Sequence, residues 1–198
     1  MTDTRERFIE AATTAFAERG FYGTSIAAVS DALPFTKQAL LHHFGSKEKL
    51  YAEVMKRISD RLMQELDEIR DQYADPRACF EETFVGLYRS AQQHPNDTAL
   101  LMRELLDNRR RAEASKSWYL KPLLDALTEM AMALLAIRIR QKHIAQALVY
   151  QLLGAVNYFT VSEPTLSRIF GKADYARLRN GYEKELRTLI AARLDFGG

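Results

Sequence analysis

The sequence predicts an all-α protein of about nine helices, with a compact three-helix module at the N-terminus and a larger helical domain after it. In almost every segment apolar residues recur every three or four positions, the spacing that gives a helix one apolar face. No segment of useful length alternates apolar and polar residues with the period of two that is typical of a strand. The apolar fraction of 47% in 198 residues is enough for a sizeable core.

Composition favours a cytoplasmic protein without a membrane segment. The single Cys79 has no partner for an internal disulfide, as is usual in a reducing compartment. No secretory signal follows Met1, and nowhere do about 18 apolar residues stand together, the length that a membrane span needs. The net charge is +2, from 28 Lys and Arg against 26 Asp and Glu, so bulk charge is weak evidence for a nucleic-acid partner.

The first three helices are short and closely connected. The first carries the apolar pattern of "FIEAATTAFAE" and stops at Gly20, a residue that reaches the left-handed conformation easily. The second helix starts after Thr24, which is a good N-cap, and Pro34 breaks the chain behind it. Thr36 then caps the third helix, "KQALLHHF", which ends at Gly45. Two short helices joined by a tight turn, with a third in support, indicate a helix-turn-helix module.

The remainder of the chain is predicted to form six longer helices. Ser46 caps a fourth helix that runs to about Arg70, and "ADP" at 74–76 marks the next break. The following helical segments are "CFEETFVGLYRSAQQ", "TALLMRELLDN", "YLKPLLDALTEMAMALLAIRIR", "HIAQALVYQLLGAVNYFTV" and "DYARLRNGYEKELRTLIAARL". We therefore predict a DNA-binding domain at 1–46 and a second domain at 47–198.

Residues 5–54, "RERFIEAATTAFAERGFYGTSIAAVSDALPFTKQALLHHFGSKEKLYAEV", resemble the DNA-binding domain of the TetR family of bacterial transcriptional regulators. The residues that carry the resemblance are Gly20, Phe21, Thr24, Ser25, Leu40, His43, Phe44, Ser46, Lys47, Leu50 and Tyr51. The resemblance implies backbone-phosphate contacts from His43 and Lys47, and a dimer whose larger domain binds a ligand. The chain departs from the family pattern at Pro34 and Phe35 in the turn, at Gln38, and at Leu41, where an aromatic residue is usual.

The helical wheel separates the two adjacent histidines. A helix turns by about 100° per residue, and Leu40 and Phe44 mark the face that packs on the first two helices. Gln38 and His42 then point away from that face, into the expected major groove, and His43 lies close to the packed side. His42 is a candidate for DNA contact or a solvated surface residue. For His43, a phosphate contact and a packing role remain equally open.

The remaining candidates for DNA contact lie around the ends of the third helix. A glutamine bonds adenine bidentately and a lysine reaches guanine or a phosphate, while hydroxyls and N–H groups at helix starts suit phosphates. Each of these residues could also be an ordinary cap or a solvated side chain. The complete set of expected DNA-binding residues is Thr24, Thr36, Lys37, Gln38, Leu41, His42, His43 and Lys47.

Neither a metal site nor catalysis is expected. Helical ligand pairs need a spacing of three or four residues, and no histidine has another His, or a preceding Glu, at that distance. The sequence holds no Gly-rich phosphate loop and no Ser or Cys nucleophile motif. We therefore expect no enzyme activity, no cofactor and no metal.

The larger domain offers candidates for a ligand pocket, rich in Met and aromatic side chains. Such residues suit an adaptable apolar pocket and equally suit a filled core, so both interpretations stand. The candidates for ligand binding are Met55, Ile58, Phe84, Tyr88, Met102, Leu105, Trp118, Leu123, Leu127, Met130 and Asn157.

The last two long helices are expected to form a dimer interface. Glycine inside a helix costs about 1 kcal/mol relative to alanine, and close helix–helix approach would explain it. Alternatively, the stripe of apolar residues on these helices packs within one subunit. The candidates for the interface are Gly154, Tyr158, Tyr175, Leu178, Gly181, Tyr182, Leu186 and Leu189.

Together these patterns predict a ligand-responsive DNA-binding regulator, in the first place a repressor. It would bind a palindromic operator as a homodimer and be released by a small, largely apolar effector, with no membrane partner. An all-helical enzyme and a helical adaptor that does not bind DNA are the alternatives.

Overall fold

The computed structural model describes residues 4–106, 119–134 and 141–195, and these residues contain ten helices and no strand. The helices are α1 (Thr4–Gly23), α2 (Ile26–Ser30), α3 (Lys37–Phe44), α4 (Lys47–Gln72), α5 (Pro76–Gln93), α6 (Pro95–Leu106), α7 (Lys121–Leu134), α8 (Lys142–Val161), α9 (Glu163–Ile169) and α10 (Lys172–Asp195). The all-α prediction is confirmed. Sequence reasoning missed α9, a single seven-residue helix.

Capping residues define the helix ends, and Thr36 caps α3 as the sequence predicted. The Thr36 hydroxyl accepts from the Ala39 N–H at 3.1 Å, and Asp75 caps α5 through the Ala78 N–H at 2.9 Å. The start of α2 is different, because Ser25 rather than Thr24 caps it, accepting from the Ala28 N–H at 3.0 Å. The predicted N-cap at Thr24 is therefore wrong by one residue.

The chain forms two compact units. Residues 1–61 and 96–119 make the first, so α1 to α3 share a unit with the first part of α4 and with α6. Residues 62–95 and 120–198 make the second. The predicted domain boundary at residue 46 stays a prediction. The two compact units are groups of residues in mutual contact, and they divide the chain at other positions.

Each unit has its own apolar core. In the first unit the largest fully buried side chains come from α1, α3, the first half of α4, and α6: Phe8, Phe16, Leu40, Leu50, Tyr51, Met55, Ile58 and Leu100. In the second unit they come from the end of α4, α5 and α7: Leu66, Phe80, Phe84 and Leu127. Burial of one stripe on each helix is the pattern that the three-four spacing predicts.

Ion pairs attach α10 to α5 within the second unit. Arg187 on α10 donates to Glu81 at 2.7 Å and to Glu82 at 2.6 Å, and Arg89 on α5 donates to Glu183 at 2.6 Å. The hydrogen bond from Arg89 lowers the pKa of the Glu183 carboxyl, while the bond to Glu82 raises the pKa of Arg187. These charges form a network across two helices. Half-exposed ion pairs contribute most to the stability of the fold when they are part of such a network.

By length and composition α8 could cross a membrane, although it carries Gln146, Gln151 and Asn157. The sequence criterion of 18 consecutive apolar residues did not detect it, because these polar residues interrupt the run. In the structure α8 packs against α5 and α7 and buries Val149 and Leu152. A core helix of a folded domain passes the same test of length and composition.

Replacing Gly20 with alanine tests the break in α1. Gly20 has φ 70° and ψ 174°, a conformation that is essentially restricted to glycine. We expect Gly20→Ala to lower the free energy of unfolding by about 1–3 kcal/mol, measured by urea denaturation. Glu18→Ala, an exposed substitution in the same turn, should stay within about 0.5 kcal/mol of the original protein. Equal stability of the two variants would contradict the positive-φ backbone conformation of Gly20.

Candidate nucleic-acid interface

The orientation of α3 is set by its two buried residues. Leu40 is fully buried and Phe44 is 5% exposed, and both face α1 and α2. The Thr36 cap fixes the first turn, and Gly45, with φ 77°, ends the helix. The opposite face of α3 is consequently exposed, and its ends are held in place.

The exposed face of α3 carries the predicted groove residues. Thr36, Lys37, Gln38 and His42 are exposed, and Leu41 is half-buried on the flank. A lysine, an amide and an imidazole on one helical face offer donors and acceptors to base edges in a major groove. Their contact with DNA stays a prediction, and their common exposure is what that prediction requires.

The turn before α3 is filled by an aromatic side chain. Phe35 contacts the ring of Phe8 with centroids 5.3 Å apart, and the Arg7 guanidinium lies 4.9 Å above the Phe35 ring. Pro34 fixes φ in the same turn. Pro34 and Phe35, the two departures from the family pattern in this turn, therefore give a turn that packs on α1. A small residue in place of Phe35 would not contact Phe8.

The two histidines occupy different surroundings although both are exposed. The ring of His43 contacts Phe8 at 5.9 Å and Phe44 at 6.2 Å, so part of it rests on the α1–α3 core. The ring of His42 contacts the ring of His43 at 5.9 Å, and within the described part of the chain it has no contact with another ring. Both interpretations of His43 remain compatible with this position, because the ring packs on one side and meets solvent on the other.

A concave surface of about 430 Å³ opens beside the C-terminal end of α3. It is lined by both histidines together with Arg5, Gly45, Lys49 and Glu53. Arg5 pairs with Glu53 at 2.5 Å, and its guanidinium lies 5.2 Å from the centre of the Phe44 ring. Cations beside the end of a helix that is predicted to face the groove suit a DNA phosphate.

Arg5 and Lys49 were missed in the sequence-based set of DNA-binding residues. Lys49 lies two residues beyond Lys47, so the helical wheel places the two lysines on different sides of α4. That difference in direction could have identified Lys49 as a separate candidate from the sequence. Arg5 gives no local signal, because it comes beside α3 only through the packing of α1 against α3, where its guanidinium lies over Phe44.

Two of the predicted DNA-contacting side chains instead point inward. Thr24 is 2% exposed, and its hydroxyl donates to the carbonyl oxygens of Ala15 at 3.0 Å and Gly20 at 2.8 Å. The expectation that this hydroxyl reaches a phosphate is therefore corrected, because it is used within the protein. Lys47 Nζ donates to the carbonyl oxygens of Phe21 at 2.9 Å and Thr24 at 3.0 Å.

Lys47 also lies over an aromatic ring, with Nζ 4.3 Å from the centre of Phe21. These contacts hold the start of α4 against the segment between α1 and α2. A phosphate contact by Lys47 stays a prediction, and its observed contacts are internal.

The candidates for ligand binding divide between the two units. Met55 and Ile58 are buried in the first unit, Met102 is half-buried, and Leu105 is 47% exposed. The Leu105 side chain therefore meets solvent over about half of its surface, and its place in a ligand pocket stays a prediction. In the second unit Phe84, Tyr88, Leu123 and Leu127 are buried and Met130 and Asn157 are half-buried. Trp118 lies outside the described residues.

The candidates for the dimer interface also fall into two groups. Tyr158 is 68% exposed, Leu178 40% and Leu189 43%, and a Cβ added at Gly154 or Gly181 would meet no atom within 4 Å. Tyr175 and Leu186 are instead buried within one subunit, at 4% and 2% exposed. These two assignments are corrected, since a residue packed inside its own chain is not available to a partner.

Tyr182 is half-buried in an aromatic cluster of the second unit. Its ring stacks on Phe159 with centroids 3.6 Å apart, and its hydroxyl donates to the Ala155 carbonyl oxygen at 2.7 Å. Tyr88 lies 5.3 Å from Tyr182, and Phe159 contacts Tyr175 at 6.0 Å. Burial raises the pKa of Tyr88 to about 12 and also raises the pKa of Tyr175 and Tyr182. These tyrosines therefore stay neutral at physiological pH.

Among the described residues, no group of three or more His, Cys, Asp and Glu side chains is arranged to hold a metal ion. The candidate interface around α3 is the part of the described structure where the predicted functional side chains are brought together.

Comparison with known proteins connects this geometry to a family. The model of bacterial regulatory proteins of the tetR family matches residues 8–54, which include α2, α3 and the start of α4. The chain is 28% identical over 114 residues to the HTH-type transcriptional repressor NicS of Pseudomonas putida, covering 58% of this chain and 54% of NicS. It is 29% identical over 90 residues to the HTH-type transcriptional repressor KstR2 of Mycobacterium tuberculosis, covering 46% of this chain and 45% of KstR2.

The chain thus spans about half the length of these two curated relatives. A solved structure of a TetR-like transcriptional regulator from Rhodococcus sp. RHA1 aligns with 96% of this chain and 95% of its own, with a TM-score of 0.69 and 21% identity. At that identity the likeness shows the fold. The matched family and the named relatives are transcriptional regulators, not enzymes.

The internal contacts of Lys47 predict a loss of stability on substitution. Lys47→Met keeps the aliphatic stem but leaves the carbonyl groups of Phe21 and Thr24 without this donor. We expect the free energy of unfolding to fall by about 1–3 kcal/mol in urea denaturation. Lys49→Met, two residues along on an exposed position, is the matched control and should change stability by less than about 0.5 kcal/mol. If both variants lost the same stability, the internal role of Lys47 would be wrong.

Proposed function

The chain belongs to the TetR family of bacterial regulatory proteins, and on that premise we propose that it is a ligand-responsive DNA-binding repressor of transcription. The observation that carries the proposal is the exposed face of α3, with Lys37, Gln38 and His42 on a helix whose other face is buried and whose ends are capped. A helix held in this way presents its side chains to a major groove without having to be ordered on binding.

DNA affinity would come from contacts at both ends of α3. At its start, the Thr36 turn presents N–H groups to a phosphate, as helix N-termini do. At its end, Lys49 beside the concave surface would provide a cation for the next phosphate, whereas Arg5 on the same surface is already paired with Glu53. The side chains between these points would read base edges. Gln38 is the best candidate, because an amide bonds adenine in two places.

Repression, as opposed to activation, is supported by the relatives. NicS and KstR2 are both named HTH-type transcriptional repressors. A repressor of this kind acts by occupying its operator, and it needs no contact surface for the transcription machinery.

The second copy that we propose for a homodimer would cover the outer face of α8 and α10. Residues on this face follow helical spacing and combine exposed apolar side chains with glycines, which permit close approach of a second backbone. The face consists of Tyr150, Gly154 and Tyr158 on α8 and of Leu178, Gly181 and Leu189 on α10. Two α8–α10 pairs related by a twofold axis would form a four-helix interface.

A twofold dimer has a direct consequence for the operator. Two α3 helices would enter successive major grooves about 34–36 Å apart, so the preferred site would be palindromic. The effector would be a small, largely apolar molecule bound in the larger helical domain, with Met130 and Asn157 as half-buried contacts. It would release DNA only if it binds one arrangement of the protein better than the other.

Gln38→Ala tests the reading face. Operator sites are first selected from random DNA with the original protein, and binding is then measured across a salt titration. We expect the variant to lose about 5- to 150-fold in discrimination at the base pair that Gln38 contacts, and to keep the salt slope of the original protein. Gln93→Ala, an exposed glutamine at the end of α5, is the matched control. Unchanged sequence preference in Gln38→Ala would assign base reading to another face.

Tyr158→Glu tests the dimer. A carboxylate on the α8–α10 face would have to be desolvated on association, so we expect monomers in sedimentation at micromolar concentration. Tyr73→Glu, an exposed tyrosine away from this face, should leave the dimer intact. A monomeric original protein, or a dimer that tolerates Tyr158→Glu, would remove the proposed interface.

A further inference from the structure

Arg7, near the start of α1, is a cation that has no anionic partner in the described part of the chain. The two charged residues before it are neutralised by α4. Arg5 pairs with Glu53 at 2.5 Å, and Glu6 pairs with Arg57 at 2.5 Å. Among the described residues, Arg7 forms no ion pair and no hydrogen bond. Its positive charge is therefore available to an anion outside the protein.

The guanidinium of Arg7 rests on the ring of Phe35. Its central carbon lies 4.9 Å from the ring centre, within the range of a cation–π contact. The exposed Glu10, three residues along α1, is at a spacing at which helical ion pairs form, yet Arg7 contacts the ring instead. Because this contact engages no acceptor oxygen or nitrogen, the five N–H donors of the guanidinium remain available to a phosphate.

Phe35 is itself held by the core of the first unit. Its ring contacts that of Phe8 with centroids 5.3 Å apart, and Phe8 is fully buried. Phe35 is one of the two positions in this turn at which the chain departs from the family pattern, where a small apolar residue is usual. A small side chain would offer no ring to the guanidinium. The support for Arg7 therefore depends on the residue that departs from the family pattern.

The contact with Phe35 brings the guanidinium of Arg7 near the start of α3. Phe35 directly precedes Thr36, whose hydroxyl caps this helix by accepting from the Ala39 N–H at 3.1 Å. The exposed Lys37 then begins the helix. A cation supplied by α1 thus lies close to the end of α3 at which a phosphate is proposed to bind.

Arg5 and Arg7 reach opposite ends of α3. A helix turns by about 100° per residue, so residues two positions apart point in different directions. The guanidinium of Arg5 lies 5.2 Å from the ring of Phe44, the last residue of α3, and is paired with Glu53. Arg5 would have to leave that carboxylate to bind another anion, whereas Arg7 has no carboxylate partner among the described residues. Of the two arginines, Arg7 is the one prepared for a phosphate.

We propose that Arg7 binds a phosphate of the operator beside the start of α3, and that Phe35 positions Arg7 for this contact. Phe35 acts through Arg7 and makes no contact with DNA of its own. A phosphate contact carries no sequence information, but it fixes where the reading helix lies on the duplex. The inference rests on the proposed function and adds a DNA contact from α1 to those proposed for α3 and α4.

A salt titration of DNA binding tests Arg7. Operator sites are selected from random DNA with the original protein, and affinity for the operator and for an unrelated duplex is measured between about 50 and 200 mM salt. We expect Arg7→Gln to weaken both complexes by about fivefold per bound subunit. The slope of log affinity against log salt should become smaller by about 1 per bound subunit. Equal losses on the two duplexes distinguish a phosphate contact from base reading.

Arg19→Gln is the matched control for Arg7→Gln. It removes the same charge from an exposed position of the same helix, where Arg19 also forms no ion pair with another described residue. This variant should keep the affinity and the salt slope of the original protein. Arg7→Lys, which keeps a positive charge but not the planar donors, should retain most of the salt slope.

Phe35→Leu tests the positioning role, because leucine keeps an apolar side chain in the turn and removes the ring. We expect a loss of about threefold per bound subunit, and Phe35→Tyr, which keeps the ring, should bind like the original protein. The double variant of Arg7→Gln and Phe35→Leu should lose no more than Arg7→Gln alone, since the ring then has no cation to position. If Phe35→Leu does not fold in urea denaturation, Phe35→Met replaces it with a more adaptable side chain.

The outcomes separate this inference from the proposed function. A protein that binds no DNA overturns both. If the protein binds DNA without selecting a site, the proposed function falls, and the salt slope on the unrelated duplex still decides the Arg7 contact. If it selects an operator and Arg7→Gln matches it in affinity and slope, the inference is overturned and the proposed function stands.

The control and the double variant can overturn the inference as well. Equal changes in Arg7→Gln and Arg19→Gln would show an effect of net charge rather than of a placed cation. Additive losses in the double variant would show that Phe35 is merely structural and would overturn its positioning role.

Discussion

The C-terminal end of α1 is the point on which the first unit depends, because α4, α6 and the segment before α2 all donate to carbonyl groups around it. The last carbonyl groups of a helix have no partner within the helix. Around Gly20, the carbonyl oxygen of Ala17 accepts from Arg103 on α6, that of Ala15 accepts from Thr24 before α2, and that of Phe21 accepts from Lys47 on α4. Since an unsatisfied buried carbonyl costs about 1–3 kcal/mol, each of these donors ties its own segment to the same place.

Much of the fold follows from signals within a few residues of one another. The three-four spacing of apolar residues predicts the helices, and local caps such as Thr36 and Asp75 define where they begin. The sequence could not show that Thr24 turns inward, because a hydroxyl at a helix start serves a phosphate and a carbonyl equally well. The outcome depends on Ala15 and Gly20, whose carbonyl oxygens are brought to Thr24 by the break in α1.

The candidate sites show the same limit more clearly. On α10 the spacing selected Tyr175 and Leu186 together with Leu178 and Leu189, yet the first two face the core and the last two face solvent. When apolar residues occupy both the buried and the exposed face of a helix, their spacing alone does not show which residues are buried. Similarly, Arg5 comes beside α3 through the packing of α1 on α3, and Arg103 comes to α1 from a helix about 85 residues away in the chain. Contacts of this range have no local signature.

The first 50 residues carry six Lys and Arg and six Asp and Glu side chains, a balance that is compatible with DNA binding once the positions of the charges are considered. Glu6, one of these acids, forms an ion pair with Arg57 at 2.5 Å. Its charge is thereby compensated close to where it lies, and charges more than about 10 Å away are screened at physiological salt. In the proposed function, a phosphate would meet the local field at the two ends of α3. A regulator could then hold its operator through a few placed cations although α1 to α3 together carry almost no net charge.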